Sequence, residues 1–284
     1  LLNTDCWPSS GRGQPRNFTR RKNMKLTTIF GMFCIAATPA ALADNHASDN
    51  AEWGVGAPLE IYNCSFKEGV NGYEQSQKFA ASWNKWADEN GAFESHIAQL
   101  MWTEFSDGEY PTEFIWLGYW DSYESAGKDM DIRSTNGDEM YAEANKFLEQ
   151  CAHSDWGGWV MVQAGDFTNG DHLTEFADCV YKEGKTDDDL LVANTAYAEA
   201  LAKRGFTGES MGMAQLWPRA GAPAGIGNAP SFKWVVGHEN FAAYSNFTNE
   251  LWNEGLLLEF NNLYGDIVQC DSNRVYHSQI IRSL

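Results

Sequence analysis

The stretch Cys64-Ser65-Phe66-Lys67-Glu68-Gly69 returns 115 residues later as Cys179-Val180-Tyr181-Lys182-Glu183-Gly184. Both read Cys-x-aromatic-Lys-Glu-Gly. Three further matches follow in the same order. Ala98-Gln99-Leu100 meets Ala214-Gln215-Leu216 at an offset of 116, Phe114-Ile115-Trp116 meets Phe232-Lys233-Trp234 at 118, and Gln150-Cys151 meets Gln269-Cys270 at 119. A slowly drifting offset is what loop insertions do to a duplicated unit. The chain therefore reads as two copies of one module, spanning residues 58–165 and 172–284.

Each copy has the same outline. A β-rich run comes first, Leu59–Phe66 and Glu175–Tyr181. A helix follows. In the first copy Phe79, Trp83, Trp86 and Ala87 recur at helical spacing and Asn90-Gly91 gives a stop. In the second, Thr186 with Asp187, Asp188 and Asp189 marks the start, Leu190, Asn194, Tyr197 and Leu201 share a face, and Gly205 ends it. Two strands come next, Ser95–Glu104 and Thr112–Trp120, then Met211–Trp217 and Ser231–His238. A second helical region starts at Ser122 and at Asn240 and runs to the later cysteines. A last β run covers Trp156–Val162 and Arg274–Ile281. The order β-α-β-β-α-β, given twice, is the split βαβ, ferredoxin-like pattern of an α+β protein.

Two such modules resemble the dimeric α+β barrel superfamily, with both halves fused in one chain and their sheets packed face to face. In a ferredoxin-like sheet the first strand neighbours the last, so the resemblance implies the disulfides Cys64–Cys151 and Cys179–Cys270 among the three pairings that four cysteines allow. No Cys-x-x-Cys pair is present, and no metal site is expected. If Cys64 and Cys179 face the helices, alternation turns Asn63, Ser65, Asp178 and Val180 to the space between the modules. Gln99 and Gln215, on the second strands, are placed there too. These polar groups either line a ligand or satisfy one another inside a packed core. Trp116 and Trp234, related by the repeat, are a stacking platform for a flat ligand or, more simply, core. Some families of this barrel hold haem through one histidine. By that analogy His238 is the candidate axial ligand, although its counterpart in the first copy is Trp120. Otherwise no cofactor is expected. A fused pair closes its barrel without a second chain, so a monomer is expected.

The front of the chain differs from the rest. Met24-Lys25 opens the apolar run Leu26–Ala37, which leads to Ala41-Leu42-Ala43 and then Asp44. A basic start, a short apolar run and a small-x-small exit mark residues 24–43 as a secretory signal peptide cleaved between Ala43 and Asp44. Residues 1–23 read as an upstream extension and 44–57 as a linker. The protein is expected in the periplasm or outside the cell, where disulfides persist.

Removing residues 1–43, which hold six basic residues and one acid, takes the net charge from −19 to −24. Such a surface repels nucleic acid and anionic lipid, and no stable membrane insertion is expected after cleavage. Phosphate-binding glycine loops, Gly-x-Ser-x-Gly and His-Glu-x-x-His are absent from the sequence. Beyond the signal, His96, His153, His172, His238 and His277 show no metal-ligand spacing. The residues therefore point to an exported protein that binds a small apolar or aromatic molecule between its modules or serves a structural role. The alternative, carried by the resemblance, is a barrel enzyme, either a cofactor-independent monooxygenase or a haem-dependent oxidoreductase.

Overall fold

A computed structural model describes residues 56–106, 112–162, 171–206, 208, 210–222 and 230–283. The signal segment, with its cleavage site at Ala43 and Asp44, lies outside the described residues. So do the segment 1–23, all of the linker before residue 56, and the end of the first module. Along the chain run β1 (Ala57–Phe66), α1 (Gly72–Asn90), β2 (His96–Phe105), β3 (Phe114–Trp120), α2 (Tyr123–Asn136), α3 (Asp138–Ala144) and β4 (Leu148–Val162). Then come β5 (Asp171–Tyr181), α4 (Asp187–Lys203), β6 (Met211–Ala220), β7 (Phe232–His238), α5 (Phe241–Asn253), α6 (Leu256–Tyr264), β8 (Val268–Cys270) and β9 (Arg274–Arg282).

Eight of these strands close into an antiparallel barrel in the order β7-β6-β4-β1-β3-β2-β9-β5, with β5 pairing back onto β7. The short β8 pairs with the end of β5. The expected barrel is closed by joins at the sheet edges, β2 to β9 and β4 to β6, with inner residues of both halves packed in one cluster. Edge pairing satisfies the backbone groups that an open sheet would expose.

Alternation sorts side chains into an inner and an outer core. Leu59, Ile61, Met101, Ile115, Leu117, Trp156, Phe176, Leu216 and Tyr276 fill the barrel. Outside it, α1 buries Ala80, Trp83 and Trp86 against Tyr62, Leu100, Trp116 and Trp120. On the other side, α4 buries Leu190, Tyr197 and Leu201 against Met213, Phe232 and Trp234.

The repeated hexapeptide explains itself at this level. Gly69 and Gly184 sit at φ +77° and +74°, a region open to glycine, and turn the chain out of β1 and β5. The Lys67 ammonium donates to the Asn145 carbonyl at 2.5 Å, and the Lys182 ammonium donates to the Gly265 carbonyl. Asn145 and Gly265 are the C-caps of α3 and α6. Each lysine therefore satisfies an orphan carbonyl at the negative end of a helix. The starts are capped as well. Ser122 accepts from the Ser125 N–H, Asn240 from the Ala243 N–H, and the Asp189 carboxylate from the Thr186 N–H.

The cysteines lie in strands rather than at helix ends. Cys64 stands opposite Cys151 in the β1–β4 pair, and Cys179 opposite Cys270 in the β5–β8 pair. Both pairs are joined as disulfides. No described helix is long and apolar enough to cross a membrane.

Candidate functional site

The residues put forward from sequence divide between the two faces of the barrel wall. Asn63, Ser65 and Asp178 share the inner parity of Ile61 and Phe176. Gln99 lies opposite Leu117 and donates to the Met101 sulfur at 3.2 Å. Asp178 pairs with Lys233 and, at 3.3 Å, with Arg274. Between the halves, these residues lie beside an apolar core and an ionic cluster of Asp178, Lys233 and Arg274.

The other four candidates face the helices. Trp116 packs edge-on against Trp83 at 4.7 Å, and Trp234 edge-on against Tyr264 at 5.0 Å. Gln215 exchanges two hydrogen bonds with the Asn194 amide of α4, at 2.8 and 3.0 Å. It lies opposite Trp234, whereas Leu100, not Gln99, lies opposite Trp116. The two Ala-Gln-Leu triplets are therefore one residue out of register. A one-residue slip moves every side chain to the opposite face.

His238 is fully buried at the end of β7. Its Nε2 meets the Glu175 carboxylate at 2.5 Å, while Nδ1 has no partner. Asn273 donates to the other Glu175 oxygen, also at 2.5 Å. Glu175 was not singled out from sequence, and neither was Glu60, 115 residues earlier on β1. A glutamate at the same place in both strands, 115 residues apart, was the available signal.

Glu60 is 3% exposed and accepts from the Arg133 guanidinium at 2.8 Å and meets His153 Nε2 at 3.1 Å. Arg133 also donates to the Tyr62 hydroxyl at 2.7 Å, and the Tyr62 ring stacks on His153 at 3.9 Å. Burial alone would raise the Glu60 pKa. The Arg133 and His153 charges and the His153 hydrogen bond outweigh it and hold the carboxyl at about 2. The small pocket above, walled by Phe79, Trp83, Trp86 and Trp116, is closed at one end by this network.

Beside Glu60 sits His96, fully buried among Trp83, Phe93 and Trp120 with neither ring nitrogen hydrogen-bonded. Gly118 makes room for it, since a Cβ there would strike the imidazole. Burial lowers the His96 pKa from 6.5 to about 4. An unfolded chain protonates this ring near pH 6.5 and the folded one resists to about 4, so the unfolded state binds more protons between those values. Stability should fall as pH drops through that window, by roughly 3 kcal/mol once below it. Urea unfolding of the wild type and His96→Leu at pH 7 and pH 4.5 reads this directly. The variant should lose most of the decline, and an equal decline in both would refute the assignment.

The equivalent layer of the second half is open. A cavity of about 690 Å³ lies between β5, β7 and the helices α4, α5 and α6. Its walls include Tyr197, Trp234, Phe247, Leu251, Phe260 and Tyr264. Glu175 lines it, with Asn273, Thr248 and Asn261 among the other polar groups. No histidine lines it among the described residues, and no cluster of three metal-ligating side chains occurs among them. His238 lies behind Phe247 and Tyr244, with ring centroids 5.4 and 5.5 Å away. Its Nε2 is held by Glu175. The imidazole that the sequence offered as an axial ligand does not reach the cavity, so haem does not fit through that residue.

The sequence matches no family model and no curated protein. Solved structures are similar in fold. A candidate monooxygenase from Fusobacterium nucleatum superposes with a TM-score of 0.51 at 8% identity, covering 80% of this chain and 94% of that one. A candidate monooxygenase from Lactobacillus acidophilus gives 0.49 at 12%, covering 80% and 95%. A haem-binding protein from Thermus thermophilus gives 0.44 at 8%, covering 79% and 92%. At the level of fold, the chain resembles the dimeric α+β barrel superfamily through its closed eight-stranded barrel.

Proposed function

We propose that this chain is an exported protein of two fused ferredoxin-like modules, residues 58–165 and 172–284, that binds a small apolar or aromatic molecule in the outer layer of its second module. The observation that carries this reading is the cavity of about 690 Å³ behind β5 and β7. Ligand pockets span roughly 300–1,000 Å³, with mostly apolar walls and a few polar groups, and this cavity has that make-up. The barrel interior carries an apolar core of Leu59, Ile61, Met101, Ile115, Trp156 and Phe176.

The tandem-module reading is supported by details that recur in both halves. Cys64 and Cys179 carbonyls accept from the Glu113 and Ser231 N–H groups. Lys67 and Lys182 N–H groups donate to the Phe147 and Ile267 carbonyls at 2.9 Å. Export is supported by the signal-like residues 24–43 and by two disulfides, which persist in oxidising compartments.

Binding is tested with N-phenyl-1-naphthylamine, a neutral aromatic fluorophore. Its emission should rise saturably with the wild type. Filling the cavity from α5 with Thr248→Trp should weaken binding at least about five-fold, with the thermal midpoint retained. Absence of saturable binding to the folded wild type would remove this reading.

A further inference from the structure

The two halves treat the same buried glutamate differently. Glu60 lies opposite Gly118 in the β1–β3 pair, and Glu175 opposite Val236 in the β5–β7 pair. Both face the helices and both meet a histidine. Glu60 also receives a guanidinium from α2, at 2.8 Å. Among the described residues no lysine or arginine forms a salt bridge with Glu175, whose partners are His238 and Asn273.

The helices explain the difference. α2 starts from the N-cap Ser122 and α5 from the N-cap Asn240. Counted from these caps, Arg133 and Leu251 hold the same position. Leu251 lines the cavity. Where the first half fills the space over its glutamate with an arginine, the second half has a shorter, uncharged side chain and an opening.

Of the other charged groups lining the cavity, the Lys182 ammonium donates to the Gly265 carbonyl and Asp271 pairs with Arg274 at 2.9 Å; neither forms an ion pair with Glu175. The same cavity carries a cluster of rings, of which Trp234 stands on the strand paired with that of Glu175. Tyr197, Trp234, Phe260 and Tyr264 meet one another at centroid distances from 4.7 to 6.3 Å. A carboxylate and aromatic rings lining one cavity favour an organic cation, through charge pairing at one end and ring quadrupoles around it. A chain of net charge −19 adds a long-range field of the same sign.

We infer that the cavity takes an organic ammonium, a protonated amine on an apolar or aromatic body, whose charged group occupies the place over Glu175 that Arg133 holds over Glu60. This rests on the cavity being the binding site proposed above. The ammonium donates to Glu175 and the apolar body lies between Trp234, Phe260 and α5.

The test is competition against bound N-phenyl-1-naphthylamine by 4-phenylbutan-1-amine, charged at pH 7, and its neutral isostere 4-phenylbutan-1-ol. The amine should compete at least about ten-fold better. With Glu175→Gln that preference should collapse to within about two-fold while the alcohol keeps its affinity. Leu251→Arg should abolish amine binding by placing the guanidinium in the chain itself. Equal competition by amine and alcohol in the wild type overturns the inference while leaving the cavity reading intact, and needs no variant to fold. A preference that survives Glu175→Gln or Leu251→Arg overturns it too. Failure of the fluorophore itself to bind overturns both.

Discussion

Replacing Cys179 and Cys270 together by alanine should lower the unfolding free energy by about 4–5 kcal/mol. The bond joins residues 91 apart, and the Cys64–Cys151 bond joins residues 87 apart. Each cross-link forbids the unfolded chain most of its large-loop conformations, and the entropy lost grows with the logarithm of loop length. Nothing of comparable size is gained from the thiols themselves, although Cys64 and Cys179 are buried and their replacement leaves a small void. The two bonds close separate, non-overlapping loops, so their effects should nearly add. Removing both would take about 9 kcal/mol from a domain whose whole stability lies in the range of about 5–15 kcal/mol. Urea unfolding of wild type, each double-alanine variant and the quadruple variant reads the losses. A single-bond loss under about 1 kcal/mol would show that the denatured chain is held compact by other means. Cys270 also borders the cavity. The Cys179/Cys270 variant should therefore weaken fluorophore binding more than the Cys64/Cys151 variant does.

The bonds also show what could be read from the residues. A cysteine in the first strand of each half, and another after its last helical region, left only strand neighbourhood to be decided. The ferredoxin-like order decided it, and the strand register places the partners face to face. Caps at Ser122, Asn240 and Thr186 were legible because capping is local chemistry. The face of a side chain was less legible. The Ala-Gln-Leu triplets at 98–100 and 214–216 look like one repeated element, yet Gln215 takes the place of Leu100. Identity at an offset of 116 concealed a structural offset of 115, and the single residue turned Gln215 outward to Asn194. The cavity was not legible at all. Leu251 stands in it where Arg133 stands in the other half, and its walls come from α4, α5, α6 and the strands β2, β5, β6, β7, β8 and β9, which meet only in three dimensions.

Arg133→Leu should destabilise the first half by about 3–5 kcal/mol at pH 7, and most of that loss should return when Glu60→Leu is added. The single change leaves a carboxylate, 3% exposed, without its guanidinium, and breaks the bond to Tyr62 as well. The double change leaves no buried charge to compensate. The pH profile distinguishes a lost charge pair from lost packing. In the wild type, Glu60 titrates at about 2 when folded against 4.5 in an unfolded chain. It therefore contributes stability above pH 4.5 that disappears as pH falls towards 2. Without Arg133, burial governs and lifts the carboxyl above its ordinary value. The folded state then takes up the proton more readily than the unfolded one, and the variant's deficit should shrink as pH is lowered from 7 to 5. A deficit independent of pH would mean that the arginine acts through its aliphatic stem alone. The second half already carries a leucine at this position, with Glu175 kept beneath it. There the carboxylate keeps His238 and Asn273 as partners and meets no guanidinium. An added alkylammonium should accordingly raise the thermal midpoint of the wild type through the second half.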